Sequence, residues 1–293
     1  MDNWDDMRVF LAVARTESLS GAAPILKMDP ATLGRRIARL ERAMGAALFV
    51  KSPQGYALTD LGERIRDRAA EAETALTFAF DEGQGASAAL TGQIRIGAPD
   101  GAASYLLPQV CAAIQAENPE LEIQVLALPR VVNLSRREAD MAIAVSPPAA
   151  GRLMVQKITD YHLHLATRAD ASPIRLRDDL KGRPIVGYIP DMIFDKELDY
   201  LGDLGAGGVQ LASNSVAVQL QMLRHAGVGF VHDFILPFAP ELRRVLTDQI
   251  SLRRSFYLVR HMSDRQSDRL TRFAAALTKG LQAEVVRLEA GHA

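Results

Sequence analysis

Basic side chains concentrate in one short stretch of this chain, with arginines at positions 35, 36, 39 and 42. Guanidinium groups form strong hydrogen bonds with phosphate oxygens and with the O6 and N7 atoms of guanine. At about 100° per residue, Arg35 and Arg42 fall on one helical face together with Ala31 and Ala38. Such a face suits a helix that enters a DNA major groove, because the alanines permit close approach. The alternative is a merely solvated face, which is common for helices that carry arginines.

Two helices joined by a tight turn would position these arginines. Ser20 is expected to cap the first helix, and Asp29 to cap the second with Pro30 at its first helical position. Gly45 is expected to end the second helix in a left-handed conformation. Pro24 is expected to distort the first helix or to delay its start. The apolar stripe of the second helix consists of Leu33, Ile37, Leu40 and Met44.

The flanking residues complete a larger unit. A helix that packs behind the pair is predicted by the spacing of Met7, Phe10, Leu11 and Ala14. Downstream, two short apolar runs flank the turn-forming sequence Ser-Pro-Gln-Gly at 52–55. Helix, helix-turn-helix and hairpin together predict a winged helix-turn-helix, mainly α, over residues 1–58. Its wing would bring Lys51 and Ser52 to the phosphate backbone.

The segment from Ala12 to Gly62, AVARTESLSGAAPILKMDPATLGRRIARLERAMGAALFVKSPQGYALTDLG, resembles the N-terminal region of LysR-type transcriptional regulators. The match has no gap, and it implies sequence-specific binding to double-stranded DNA. The chain has Gly34 where the family often has serine, so the base preference of relatives is not transferable. The residues expected to contact DNA are Ser20, Ala31, Thr32, Gly34, Arg35, Arg36, Arg39, Lys51 and Ser52.

Composition narrows the class of protein. The length of 293 residues indicates two or three domains, and the hydrophobic content of 48% is ordinary for a globular protein. A net charge of −1 argues against indiscriminate coating of nucleic acid, yet six basic and two acidic residues lie between Lys27 and Lys51. The N-terminus lacks the apolar run of a signal peptide, and no stretch approaches the roughly 18 apolar residues of a membrane helix. We therefore expect a cytoplasmic protein without membrane contact.

A long helix is predicted from Thr59 to about Glu82, with Thr59 as its N-cap. Its apolar stripe is too narrow to cover a domain core and suits packing against a second copy of itself. The family resemblance implies the same self-pairing, in a homodimer that usually assembles further into a homotetramer. The residues expected at this contact are Leu61, Ile65, Ala72 and Leu76. The linker is assigned to 59–88 and ends in a hinge at 83–87.

After residue 88, predicted strands alternate with helices, which indicates a mostly parallel sheet with both faces covered. One helix is expected at about 102–117 and a short one at 131–138. The pattern predicts a two-lobed α/β domain over 89–293, with two crossovers between the lobes. Lobe I would comprise about 89–162 and 262–293, and lobe II about 163–261. This layout resembles periplasmic binding proteins, and the effector domain of LysR-type regulators is similar.

Small molecules bind at the carboxyl ends of parallel strands, so the loops there should form an effector cleft between the lobes. Members of the family that the chain resembles have effector contacts at matching loops, so the resemblance implies candidate contacts at Asp100, Ser104, Ser213, Asn214, Ser215 and His232. Each could instead be a cap or turn residue that satisfies its own backbone. The Asp100 carboxylate would disfavour acidic effectors and favour a cationic or polyhydroxylated one. His232 would make effector binding pH-dependent.

The remaining reactive residues do not indicate an enzyme, a metal or a cofactor. Cys111 is the single cysteine and is expected to be a small core residue. For a member of the family that the chain resembles, this argues against the peroxide-sensing branch, whose switch needs two cysteines. His162 and His164 would share a strand face, but no cysteine or clear carboxylate accompanies them. The sequence contains no nucleophile elbow, phosphate-binding loop or dinucleotide fingerprint.

Two classes of function fit the sequence. The first is a transcriptional regulator whose small-molecule effector shifts an equilibrium between oligomer geometries. That shift would change DNA bending or contact with RNA polymerase, which is a further candidate partner. The second is a two-lobed solute-binding or enzymatic protein whose N-terminal helices contact proteins rather than DNA.

Overall fold

The computed structural model describes residues 4–52, 55–83, 89–127, 134, 138–149, 151–200 and 208–291. The chain divides into two compact units, one within its first 88 residues and the other within the remainder. The hinge expected at 83–87 and the helix expected at 131–138 lie almost wholly outside the described residues. Of the helices in the described ranges, none is long and apolar enough to cross a membrane.

The first unit has the elements of a winged helix-turn-helix. In its described residues these are α1 (Trp4–Thr16), α2 (Leu19–Leu26), α3 (Pro30–Met44), β1 (Phe49–Ser52), β2 (Gly55–Leu58) and α4 (Asp60–Gly83). β1 and β2 pair in antiparallel register. The apolar faces of α1 and α3 meet the hairpin in one core, where the Phe10 and Phe49 rings lie 5.3 Å apart. This arrangement confirms the predicted class of the N-terminal unit.

The start of α2 differs from the prediction. Ser18, and not Ser20, is the N-cap, because its backbone is extended and its hydroxyl accepts a hydrogen bond from the Gly21 N–H at 3.3 Å. Ser20 therefore lies in the first turn of the helix, where it is exposed. Pro24 neither delays nor breaks α2, which ends shortly after it at Leu26.

The helix α3 forms as the sequence predicts. The Asp29 carboxylate accepts a hydrogen bond from the Thr32 N–H at 2.8 Å, and Pro30 occupies the first turn. Gly45 ends the helix with φ 68° and donates its N–H to the Arg42 carbonyl. The side chains of Leu33, Ile37 and Leu40 are buried, whereas that of Met44 at the end of the stripe is exposed.

The first turn of α4 packs against the hairpin. Thr59 caps it by accepting the Gly62 N–H at 3.0 Å. A Cβ atom at Gly62 would lie 2.1 Å from the Leu48 carbonyl oxygen, so this close approach requires glycine. Leu61 and Ile65 pack against the core of the same unit. The N-terminal part of the apolar stripe therefore does cover a core, contrary to the expectation that the whole stripe is too narrow for one.

The second unit combines parallel and antiparallel strands with three longer helices and several short turns among its described residues. Its elements are β3 (Gly92–Ala98), α5 (Asp100–Tyr105), α6 (Leu107–Glu117), β4 (Leu121–Ala127), β5 (Met141–Ala144), β6 (Leu153–Arg168), β7 (Ile185–Gly187), β8 (Leu211–Ala212), α7 (Val216–His225), β9 (Val228–His232), β10 (Leu242–Val245), β11 (Leu252–His261) and α8 (Asp268–Ala290). The sheet order is β4-β3-β5-β11-β6-β9-β7-β8, and β10 pairs with β6.

Two parallel groups of strands define two lobes. β3 pairs in parallel with β4 and β5, and β7 pairs in parallel with β8 and β9. β6 and β11 pair antiparallel along most of their length and join these groups. This pair forms the two crossovers that the sequence predicts. The core between strands and helices includes the fully buried side chains of Ile96, Tyr161, Phe234 and Phe273.

The helix expected over about 102–117 is instead two helices, α5 and α6, which meet at Leu106. Pro108 lies in the first turn of α6, where its missing N–H does not interrupt a hydrogen bond, whereas a continuous helix would place it in the interior. The strand β10, which pairs with β6, is absent from the sequence-based prediction.

Candidate functional sites

The exposed face of α3 presents two of its arginines directly. Arg35 and Arg42 are exposed, as is Ala31, while Ala38 is partly buried between them. Arg35 donates to the Thr32 hydroxyl at 2.9 Å, and Arg42 donates to the Ala38 carbonyl at 3.2 Å. These local contacts hold both guanidinium groups along the helix surface, where they can exchange their partners for phosphate or base atoms.

Arg36 and Arg39 have a different environment, because both face an acidic residue of α1. Asp6 is only 2% exposed and accepts two hydrogen bonds of 2.5 Å from Arg39, while Arg36 Nη1 lies 3.5 Å away. The Asp6 contact raises the pKa of the Arg39 guanidinium above its ordinary value. The Arg39 side chain nevertheless remains 53% exposed. These pairs connect α3 to α1.

The sequence analysis did not predict a role for Asp6, although its position in α1 indicates one. Asp6 precedes Val9, Phe10 and Val13 by three, four and seven residues, so it lies on the apolar face of α1. A carboxylate on a buried face requires a charged or hydrogen-bonding partner. Arg36 and Arg39 of the arginine-rich helix α3 provide this partner.

The hairpin is fixed to the connection between α1 and α2. The Tyr56 N–H donates to the Glu17 carbonyl at 2.9 Å, and Gly55 adopts φ 138° directly beside the same carbonyl. In the strand register Lys51 pairs with Tyr56 and Ser52 with Gly55. The backbone of the two wing residues therefore lies at the end of the hairpin; their side chains are outside the described part of the structure.

The other residues expected to contact DNA differ in their exposure to solvent. Ser20 is exposed on α2, whereas Thr32 and Gly34 are partly buried on α3. A Cβ atom at Gly34 would lie 3.5 Å from the Leu19 side chain, which is an ordinary contact. The fold would therefore accept a Cβ atom at position 34.

In the second unit, the predicted residues Asp100 and Ser215 meet. Asp100 is the first residue of α5, and its Oδ2 accepts hydrogen bonds from the Ser215 hydroxyl at 2.9 Å and from the Ala217 N–H at 3.0 Å. Ser215 also caps α7 by accepting the Val218 N–H. The contact links the start of α5 in one lobe to the N-terminus of α7 in the other.

The other residues expected to contact the effector differ in burial and in their contacts. Ser213 is buried, and its hydroxyl accepts the Ser215 N–H at 3.1 Å, so it acts as a turn residue. Asn214 is partly buried, and Ser104 is exposed near the end of α5. A second contact between the lobes joins the Ser146 hydroxyl, after β5, to the Asp195 carboxylate. Asp195 is thus engaged between the lobes, and the neighbouring Glu197 pairs with Arg254.

A small pocket opens beside β7 and α7. Its walls include Tyr188, Tyr200, Phe230 and Leu198, with Gln219 and Asp199 as polar members. The Tyr200 side chain is 7% exposed, and its hydroxyl has no hydrogen-bond partner among the described residues. Burial raises the pKa of the Tyr200 hydroxyl well above its ordinary value, so it remains protonated. The sequence prediction did not include this pocket.

His232 is the last residue of β9, in the lobe that contains this pocket, and it does not titrate near neutral pH. It is 6% exposed, and its ring stacks on Tyr161 with the centroids 5.4 Å apart. Its Nδ1 atom has no partner within the described residues, and burial lowers its pKa to about 3. The imidazole therefore stays neutral at physiological pH. This environment argues against the hypothesis that His232 makes effector binding pH-dependent.

The other reactive side chains are engaged within the fold. His162 Nδ1 lies 2.9 Å from Glu289, and His164 Nδ1 lies 2.9 Å from Asp233, so each has a carboxylate partner that the sequence did not reveal. The described residues contain no group of three or more acidic, histidine or cysteine side chains arranged to hold a metal ion. Cys111 packs partly buried against the core, and burial raises the pKa of its thiol to about 11.

Comparison with family models identifies both units. Residues 4–63 match the model described as a bacterial regulatory helix-turn-helix protein of the lysR family, and residues 87–282 match the LysR substrate binding domain. The chain therefore belongs to the family of LysR-type transcriptional regulators. It is a DNA-binding transcriptional regulator with an effector-binding domain, and it is not an enzyme.

Individual relatives agree with this assignment. The regulator PtxR of Pseudomonas aeruginosa is 25% identical over 80% of this chain and 78% of its own length. The regulator IlvY of Escherichia coli is 33% identical over 65% of each chain. The full-length structure of OxyR C199D from Pseudomonas aeruginosa superposes with a TM-score of 0.74 at 15% identity, covering 96% of this chain and 95% of that one. This last likeness concerns the fold alone.

The contact between Asp6 and the arginines of α3 generates a prediction about stability. Asp6→Asn should lower the free energy of unfolding of the first unit by about 1–3 kcal/mol, because a charge-assisted bidentate interaction is lost. Trp4, the single tryptophan, lies in α1 and reports on this unit by fluorescence during urea unfolding. Asp5→Asn, at the exposed neighbouring position, is the control. Equal unfolding midpoints for the two variants would contradict the role of Asp6.

The burial of His232 generates a prediction about pH. Its folded-state pKa lies below the unfolded value, so the unfolded chain takes up the proton first and stability falls as pH falls below about 6.5. Between pH 7 and pH 5, wild type should lose about 2 kcal/mol more stability than His232→Gln. Denaturant titrations of the full chain followed by circular dichroism measure this difference. The exposed His225→Gln is the control and should keep the wild-type slope; a parallel slope for His232→Gln would refute the assignment.

Proposed function

We propose that α3 enters the DNA major groove and reads base edges with Arg35, with Ala31, Thr32 and Gly34 permitting close approach of the backbone. The observation that supports this proposal is the exposed face of α3, where Arg35 and Arg42 lie along the helix surface. Arginine on such a face can bind guanine O6 and N7 with two hydrogen bonds. Ser20 on α2, with Lys51 and Ser52 on the wing, would contact phosphates.

Arg36 and Arg39 would act mainly by positioning this helix. Their guanidinium groups face Asp6, so α3 is connected to α1 by charge as well as by its apolar stripe. Because Arg39 is still about half exposed, it can contact a phosphate while it remains bonded to Asp6. Sequence readout would therefore depend on Arg35 more than on either of these two residues.

The effector would bind between the two lobes, at the edge where Asp100 contacts Ser215. Both residues follow parallel strands or open helices, which is where ligands bind in α/β domains. The pocket beside Tyr200 is adjacent, since Gln219 lines it and donates a hydrogen bond to the Ser213 carbonyl. A ligand that changes the contacts between the lobes would shift the equilibrium between two arrangements of the regulator. RNA polymerase is the partner on which such a shift would act, in the bacterial cytoplasm.

Self-association would use the C-terminal part of α4. Leu61 and Ile65 are packed within the unit, whereas Ala72 and Leu76 are exposed, with 39% of Leu76 accessible. An exposed leucine one helical turn from an alanine suits a helix that pairs with its own copy. Two-fold symmetry of the regulator would match a partly palindromic DNA site.

The DNA proposal predicts distinct effects for two basic residues. On sites selected from genomic DNA, Arg35→Ala should cost about 1–3 kcal/mol and relax the preference at one base pair. Lys51→Ala should weaken binding to all sequences alike and lower the salt slope by about one. Fluorescence anisotropy across a salt series measures both effects. Arg175→Ala, an exposed arginine of the second unit, is the charge-matched control; wild-type binding by both test variants would overturn the winged-helix proposal.

The self-association proposal predicts the effect of charge in the exposed seam. Leu76→Glu should shift the chain towards smaller oligomers, because pairing would bury a carboxylate against its symmetry mate. Sedimentation velocity at several concentrations measures the change. Glu63→Lys changes an exposed residue outside the stripe of the same helix and serves as control. An unchanged distribution for Leu76→Glu would remove this helix from the interface.

A further inference from the structure

We propose that the effector of this regulator is a small organic amine with an apolar body, bound between Asp100 and the pocket beside Tyr200. The inference rests on the proposed function of the cleft and names the chemistry of the molecule that enters it. It follows from four features of the described residues: an occupied helix N-terminus, an aromatic wall, an excess of carboxylates and a buried hydroxyl without a partner.

The donors that an acidic effector would need are already in use. The Ser215 hydroxyl and the Ala217 N–H, at the N-terminus of α7, both donate to Asp100 Oδ2. A ligand carboxylate could reach them only by displacing this side chain and then lying beside its charge. The chain supplies its own carboxylate at high effective concentration, so anionic compounds compete poorly.

The pocket wall is suited to a cation attached to an apolar group. The rings of Tyr188 and Tyr200 lie 5.9 Å apart at 61°, and those of Tyr200 and Phe230 lie 5.5 Å apart at 62°. Leu198 contributes further apolar surface. Ring faces attract ammonium groups, and the attraction increases when the cation is removed from water. An alkyl or aryl amine can therefore place its apolar part and its charge against the same wall.

The charges near the pocket have the sign that an ammonium group requires. The segment 195–199 contains three carboxylates and one exposed lysine, and Asp100 adds a fourth carboxylate. Asp100 lies near the pocket, since it bonds to Ser215, and Gln219 of the pocket wall donates to the carbonyl of the nearby Ser213. Arg254 lies 6.0 Å from the Tyr200 ring centroid, but its charge is paired with Glu197 at 3.0 Å. The local field therefore favours a cation.

The buried Tyr200 hydroxyl provides the remaining recognition group. Tyr200 lines the pocket and is more than nine-tenths buried, and its hydroxyl has no hydrogen-bond partner among the described residues. A buried polar group without a partner costs free energy that a bound ligand can recover. An ammonium N–H directed at the phenolic oxygen would satisfy it and would orient the amine towards the acidic side of the cleft.

The test compares three probes of similar shape and different charge on the full-length protein. The probes are 2-phenylethylamine, 2-phenylethanol and 3-phenylpropanoate, each titrated by isothermal calorimetry and by ligand-dependent thermal unfolding. Wild type should bind the amine at least tenfold more tightly than the alcohol or the acid. Stronger binding of the acid or the alcohol, or no amine binding below about 10 mM, would overturn the proposed class.

Two variants locate the binding. Asp100→Ser should weaken binding of the amine at least tenfold and strengthen that of the acid, because it removes a carboxylate and frees the α7 donors. Tyr200→Phe removes only an unpartnered hydroxyl, so it should fold as wild type does and weaken amine binding about three- to tenfold. Asp178→Asn, an exposed acid of the same lobe, is the control and should change nothing.

The outcomes separate this inference from the proposed function of the cleft. If the acid binds more tightly than the amine and Tyr200→Phe weakens its binding, the cleft is the effector site and the amine class is wrong. If the amine binds but neither Asp100→Ser nor Tyr200→Phe changes its affinity, the site lies elsewhere and both proposals fail.

Discussion

The pairing of β6 with β11 is the constraint on which the effector-binding unit depends. These two strands lie side by side in antiparallel register, and each parallel group attaches to one of them: β5 to β11, and β9 to β6. Because the groups share this support, the loops that begin α5 and α7 come together although they are more than a hundred residues apart. Asp100 can bond to Ser215 and Ala217 only because of that pairing.

In both units of the chain, carboxylates connect separate elements, because each accepts hydrogen bonds from donors of another element. In the first unit, buried Asp6 on α1 binds two arginines of α3 and so supports the position of that helix. In the second, Asp100 on α5 binds the N-terminus of α7, and Asp195 bonds to Ser146 across the lobes. A carboxylate withdrawn from water needs such partners, so these contacts are strongly coupled to the position of the elements that they join.

Local chemistry explains where the sequence-based prediction succeeded and where it did not. The caps Asp29, Thr59 and Gly45 were predictable because a cap depends on residues within one turn. Ser18 and Ser20 are both capable of capping α2, and the backbone conformation decides between them. Leu61 and Ile65 form an apolar stripe whose partner is the core of their own unit, which periodicity cannot specify. Pro108 is a local signal for the break between α5 and α6, since it lies in the first turn of α6.

The sequence by itself determined the class of both units, since the winged helix-turn-helix and the alternation of strands and helices depend on periodicity and on short-range turn chemistry. It also identified Asp100 and Ser215 as candidates, because they follow a strand and open a helix. Only the tertiary structure decided that these two residues bond to each other, that Asp6 holds Arg39, and that burial keeps His232 neutral at physiological pH. Such facts depend on contacts between residues distant in the chain, and burial and charge pairing arise only when those residues meet.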